Sequence, residues 1–186
     1  MASNNVNLGI GMASATGMFF TAPAGTSLPT SPFDTLGGTW KKVGDITSDG
    51  ITWATGKDSE PLRNWAKETV RLASSDEGGT VTAPIMDTTQ DTLEAIFGSS
   101  NVAVTAATST HGKLVSVTVE PGVSAAPAAF LFLMKDGEDG ILVGTTSGII
   151  REIGDVTFSP TEAIVWEATI EAASWTIVKD DGQVTS

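Results

Sequence analysis

The run AAFLFLMKDGEDGILVGT, residues 128–145, decides the fold class. Residues 128–134 are apolar at every position, so a strand built from them is buried on both faces, at the centre of a sheet or in an interface. Residues 136–140 are turn formers that send the chain back through 141–145. Toward the C-terminus, residues 149–158, 163–170 and 175–178 read as further strands. In the second of these Ile164, Trp166, Ala168 and Ile170 lie opposite Val165, Glu167, Thr169 and Glu171. Toward the N-terminus, residues 113–120 alternate, with Val115, Val117 and Val119 facing in, and residues 102–108 read as another strand. The composition agrees with a mostly β chain: 26 Thr, 20 Gly, 15 Val and 12 Ile suit pleated strands and tight turns.

One short α-helix is signalled at about residues 88–97. Asp87 is the expected N-cap with Gln90 three positions on, Leu93, Ile96 and Phe97 form the apolar stripe, and Gly98 stops it. Before it, residues 68–74 alternate and turn at 76–79 into 80–86, for which a hairpin is the simplest pairing. Residues 40–47 and 51–55 flank the turn Ser48-Asp49-Gly50, a second hairpin signal. Residues 56–66 form a long mixed loop carrying Leu62, Arg63 and Trp65. Two similar pentapeptides, 43–47 (VGDIT) and 153–157 (IGDVT), read as similar strand ends and not as a repeat.

No charged side chain occurs between Met1 and Phe33, and Pro23, Pro29, Pro32 and Gly25 break regular structure there. Residues 1–38 are therefore expected to form an arm, lying on its own domain or docking onto another subunit, with residues 39–186 as the body. A chain of 186 residues is long enough for a single core.

The net charge of −12, from 10 Lys and Arg against 22 Asp and Glu, opposes adhesive nucleic-acid binding. The absence of Cys removes disulfides, thiol nucleophiles and Cys-ligated zinc, and a single histidine, His111, in the turn-like Ser109-Thr110-His111-Gly112, leaves no imidazole cluster. No G-x-S-x-G elbow, Walker loop, dinucleotide fingerprint or complete calcium-loop ladder is found. No enzyme activity, metal or cofactor is expected. Nor does a signal peptide or an apolar run of membrane-spanning length stand out, so no membrane partner is expected. Trp40, Trp53, Trp166 and Trp175 fall in or beside alternating strands and read as core residues, whereas Trp65 sits in a charged loop and suits a partner anchor.

The stretch VGDITSDGITWATGKDSEPLRNWAKETVRLASSDEGGTVTAPIMDTTQDTLEAIFG, residues 43–98, resembles the major tail tube proteins of long, non-contractile-tailed (siphovirus-type) bacteriophages, especially those of actinobacteria. Three parts carry the resemblance in order: the Gly-Asp-Ile hairpin after Trp40, the acidic-Pro-Leu-Arg-x-Trp loop, and the polar strand followed by Asp-Thr-Thr and a helix ending in Phe97-Gly98. Residues 164–171 fit more loosely. Many relatives continue into an immunoglobulin-like domain, which is not expected here.

The resemblance implies a β-sandwich or barrel-like tail tube fold with a flanking helix. It also implies hexameric rings joined by sheet continuation and stacked into a conduit for DNA ejection. The partners it implies are further copies of the chain, the tape measure, the tail terminator and the distal tail proteins, in the virion and, during assembly, in the host cytoplasm. Four strands from each of six copies at about 4.7 Å spacing give a circumference of roughly 113 Å and a diameter of about 36 Å, wide enough for a duplex of roughly 20 Å. An acidic lumen repels phosphates, so DNA passes without adhering. Candidate lumen acids are Asp76, Glu77, Glu162, Glu167 and Glu171, and candidate contacts between rings or subunits are Phe19, Phe20, Leu62, Arg63 and Trp65. A reading from another class is a virion decoration or carbohydrate-binding β-sandwich module, whose exposed aromatics bind a ligand without polymerising.

Overall fold

The computed structural model describes residues 18–63, 65–66, 69–76, 78–119 and 125–182. In chain order the strands are β1 (Phe19–Pro23), β2 (Lys41–Gly44), β3 (Thr52–Ala54), β4 (Lys57–Arg63), β5 (Thr69–Asp76) and β6 (Thr80–Ile85). Helix α1 (Gln90–Phe97) and a 3-10 turn (Ser99–Asn101) follow. The chain ends with β7 (Val102–Thr105), β8 (Leu114–Val117), β9 (Ala128–Asp136), β10 (Asp139–Ile153), β11 (Trp166–Ala172) and β12 (Thr176–Asp180).

The run read first forms the central hairpin. Asp136 pairs with Asp139 across a tight turn, where Gly137 has φ 62°, a left-handed conformation that glycine adopts without a Cβ clash. Strand β9 lies between β1 and β10, and residues 129–133 are buried on both faces as their unbroken apolarity requires.

The main sheet runs β2-β1-β9-β10-β11-β6-β3 and closes on itself. Just beyond β2, Ile46 forms an antiparallel bridge with Ile85 of β6. Met86 N donates to Asp45 O at 2.9 Å and Thr47 N to Pro84 O at 3.0 Å beside it. The result is a β-sandwich-like barrel of antiparallel strands. Its interior is Phe19, Val43, Val81, Ala83, Ile85, Phe130, Phe132, Val143, Ile150, Ala168 and Ile170, with Ile96 of α1 joining them. Each large side chain so buried contributes about 1.5–3 kcal/mol of transfer free energy.

Strand β10 is long because two strands share one of its edges. It pairs with β11 through Gly148 opposite Ala172 and with β12 through Gly144 opposite Thr176, the same number of residues intervening on both sides. Strands β11 and β12 are thus one track in one register, interrupted at residues 173–175.

The helix ends where the sequence places it but starts two residues later, at Gln90, with a different cap. Thr89 accepts from Thr92 N, and Thr92 Oγ1 reaches back to the Thr89 N–H, completing a capping box; Gly98 ends the helix with φ 86°. Asp87 instead accepts from Asp45 N at 2.9 Å and pins the barrel closure. Buried Thr92 donates to Val43 O at 2.5 Å, tying α1 to β2.

Two expected hairpins pair otherwise. The turn around Gly50 is present, but its flanks do not pair with each other: Ile46 faces Ile85 and Thr52 faces Thr82, so residues 47–51 loop out from one edge of β6. Strand β5 pairs with β4 and not with β6, so residues 57–63, expected as loop, are a strand. Pro61 is tolerated there because a two-stranded ladder leaves β4 an outer edge needing no N–H. Strands β7 and β8 form a separate pair, and Val119, expected to face in, lies beyond β8 and is exposed. The pentapeptides 43–47 and 153–157 each begin where a strand ends.

Candidate assembly surface

Outside the barrel, the face of β6 and β11 is polar. In β11 Ala168, Ile170 and Ala172 are buried while Glu167, Thr169 and Glu171 alternate outward; in β6 Val81, Ala83 and Ile85 are buried while Thr80, Thr82 and Pro84 face out. Thr82 and Thr169 share a hydroxyl hydrogen bond of 3.3 Å, and Arg151 Nε donates to Glu171 Oε2 at 2.7 Å. The irregularity between Ile150 and Glu152 sets Arg151 beside that strand. Glu167 is exposed, and Glu162 is exposed in the loop before β11. The structure therefore brings Glu167 and Glu171 onto one face. Asp76 ends β5, paired through its backbone with Lys57 at the base of the β4–β5 hairpin, and Glu77 lies outside the described residues.

The β4–β5 ladder extends as its own sheet, with Leu62 opposite Arg71 and Arg63 opposite Thr69 near its tip. Trp65, in the tip turn, is fully exposed at 102%. The hairpin is rooted firmly. A Cβ on Gly78 would lie 2.1 Å from Ala172 O, so only glycine fits there, and Trp175 Nε1 donates to Gly79 O at 3.0 Å.

Phe19 and Phe20, expected as contacts with a neighbour, are corrected: they are 0% and 4% exposed in β1, which pairs with β2 and β9 inside the main sheet. Adjacent strand residues point to opposite faces, so Phe19 enters the barrel core and Phe20 joins an outer cluster with Leu131, Leu133 and Leu142. Leu28, Leu36 and Trp40 of residues 24–40 cover that cluster, forming a strap across the outer face. Ser31 Oγ donates to Asp180 Oδ2 at 2.5 Å, while Asp34 Oδ2 accepts from Ser31 N at 2.9 Å. The Ser31 backbone N–H and then the Thr30 hydroxyl hold the Asp34 carboxyl below its usual range; the Ser31 hydroxyl and the Gly182 N–H do the same for Asp180.

Other exposed apolar side chains went unremarked in the sequence, Phe158 at 74% and Leu114 at 50% foremost, because a pattern of residue types does not say which strand ends stay uncovered. Trp53, expected in the core, is 43% exposed on β3, while Trp166 and Trp175 pack against the barrel core.

Among the described residues no group of three or more His, Asp or Glu is arranged to hold a metal ion, and no helix is long and apolar enough to cross a membrane. His111 is exposed in its turn, beside Gly112 O. A family model described as phage tail tube protein matches residues 1–178. No curated protein sequence matches the chain.

Proposed function

The chain belongs to the phage tail tube protein family, and is thus a structural component of the virion and not an enzyme; from that premise we propose that it is the major tail tube subunit, assembling into stacked hexameric rings whose lumen conducts DNA during ejection. The observation that carries the lumen reading is the open polar face bearing Glu167 and Glu171 on a barrel whose strap covers a different cluster, that of Phe20, Leu131, Leu133 and Leu142. Acidic groups facing duplex DNA repel its phosphates and forgo counterion release, so the genome slides without being held. Glu162 is proposed to add to that field, as are Asp76 and Glu77 from the hairpin base.

Stacking is proposed to use the β4–β5 hairpin, with Leu62, Arg63 and Trp65 as contacts. A ring joins copies through one operator, and rings stack by a second, so both contacts can be heterologous. The body is taken as residues 39–186 together with β1, and the part of the arm proposed to reach a neighbouring ring is the stretch ahead of Met18. Tape measure, tail terminator and distal tail proteins are the proposed partners along and at the ends of the tube, in a long, non-contractile tail.

Electron microscopy of the purified, concentrated protein tests this. Stacked rings with an open lumen and six-fold symmetry are the expected result. Rings of another symmetry would overturn the hexamer, and a chain that stays monomeric at every concentration would overturn self-assembly.

A further inference from the structure

We propose that the tip of the β4–β5 hairpin of one copy docks, Trp65 foremost, into a cleft that residues 27–40 form on a second copy. This rests on the tube reading above and adds the receptor for the hairpin.

The cleft has a volume of about 390 Å³ and is lined by Leu28, Pro29, Asp34, Leu36 and Trp40 among others. That lies within the roughly 300–1,000 Å³ of sites that bury small ligands, ample for one indole ring. Its floor is firm, because Leu28, Leu36 and Trp40 pack on the outer cluster of Phe20, Leu131, Leu133 and Leu142. A fully exposed Trp65 entering this cleft meets Leu28, Leu36 and Trp40 within a mainly polar lining that includes Ser27, Thr30, Asp34 and Thr35, a mixture that suits an indole with its apolar ring and its N–H donor.

Charge selects the same occupant. Residues 62–71 hold Arg63, Lys67 and Arg71 against one acid, Glu68, a positive stretch in a chain of net charge −12. The cleft offers the opposite sign: Asp34 lines it, and Asp180 and Asp181 lie in the adjoining depression that shares Thr30. Hydrogen bonds from Ser31 and Thr30 favour the ionised form of Asp34, and those from Ser31 and Gly182 favour that of Asp180. Lys179 stands in that depression too, but it is paired with Asp139 at 3.2 Å. Tip and cleft are different patches of one chain, so their contact leaves a free tip at one end of a stack and a free cleft at the other, and it propagates. Complementary charge also orients the approach before the indole seats.

Because the chain has no cysteine, a pair of introduced thiols reports this contact cleanly. Ala66 and Thr35 are both exposed, so Ala66→Cys and Thr35→Cys leave the core and Trp65 untouched. Assembled protein carrying both substitutions, oxidised and run without reductant, is expected to give a ladder of covalent oligomers, while each single variant gives monomer. Tubes visible in the microscope with no ladder from the double variant, or a covalent dimer from Ala66→Cys alone, would overturn the pairing and leave the tube reading standing. Failure of the unsubstituted chain to form any stacked assembly would overturn both.

Discussion

Phe19 of β1 stacks on Phe132 of β9, their ring centroids 4.5 Å apart and their planes 7° from parallel. The contact joins a strand close to the N-terminus to the most buried strand of the barrel, where Phe130 also stacks with Phe19 at 6.1 Å. Residue 19 therefore works as a core residue and not as a contact between subunits. Phe19→Ala is expected to cost about 3–5 kcal/mol, the range for deleting a buried phenylalanine and leaving a cavity. Urea unfolding of the isolated protein measures it as a fall in the midpoint at constant slope. A loss below about 1 kcal/mol would return β1 to the role of a detachable arm.

Why the sequence misassigned Phe19 and Phe20 is physical. An uncharged stretch with two adjacent phenylalanines looks the same whether it covers its own sheet or a neighbour's, since burial depends on which surface is nearest. The same limit explains β4 and β5: alternation marks β5 as a strand, but strand partnership is a long-range property, and Pro61 with four charged residues hides β4. What was legible followed from period and caps. The alternation of Ala168 and Ile170 with Glu167, Thr169 and Glu171 gave both faces of β11, and the unbroken apolar run gave β9 its central place. Gly98 gave the helix end, whereas Thr89 lost to Asp87 as the expected cap because both are capping residues. Of the candidate site, Trp65 and Glu167 were readable as polar-loop and outward-face residues; the strap cleft was not, because it exists only once residues 28, 36 and 40 meet a distant cluster.

The strap is expected to loosen in acid. Folding holds the Asp34 and Asp180 carboxyls below the ordinary aspartate range through hydrogen bonds to their ionised forms. A depressed carboxyl pKa contributes stability that is complete above the unfolded value and is lost as pH falls through the folded one. Amide resonances of Ser31 and Asp34 should therefore hold steady down to about pH 5 and shift as the pH drops below about 4. Asp180→Asn keeps an acceptor for the Ser31 hydroxyl without titrating, and should weaken the shift at Ser31. An unchanged profile in that variant would show that Asp180 does not hold the strap.

Reversing one charge on the polar face tests whether that face meets DNA. Glu167→Lys changes an exposed residue and should leave folding within about 0.5 kcal/mol of the parent, as surface substitutions do. If the face lines the lumen, tubes of this variant retain linear duplex at low salt and release it as salt rises, while parent tubes retain none. Co-sedimentation of tubes with DNA across a salt series reads this directly. Equal, negligible retention by both would place Glu167 away from the lumen. Glu171 is a poorer probe, because its pairing with Arg151 is partly solvent-exposed and such pairs contribute only about 0–1 kcal/mol.

Trp65 separates folding from assembly most sharply. At 102% exposure its indole makes no contribution to the barrel core, so Trp65→Ala should unfold at the same temperature as the parent. If the indole anchors a neighbouring copy, its loss removes a hot-spot contact of about 2 kcal/mol or more. That is roughly thirtyfold in association, seen as a matching rise in the concentration at which tubes appear. The hairpin roots at Gly78 and Gly79 are untouched, so the ladder of β4 and β5 keeps its position and the effect belongs to the side chain. Trp65→Phe, which keeps an aromatic face, should recover part of the loss. A variant that polymerises at the parent's concentration would remove Trp65 from the interface. A variant that melts early would assign it instead to the stability of the hairpin.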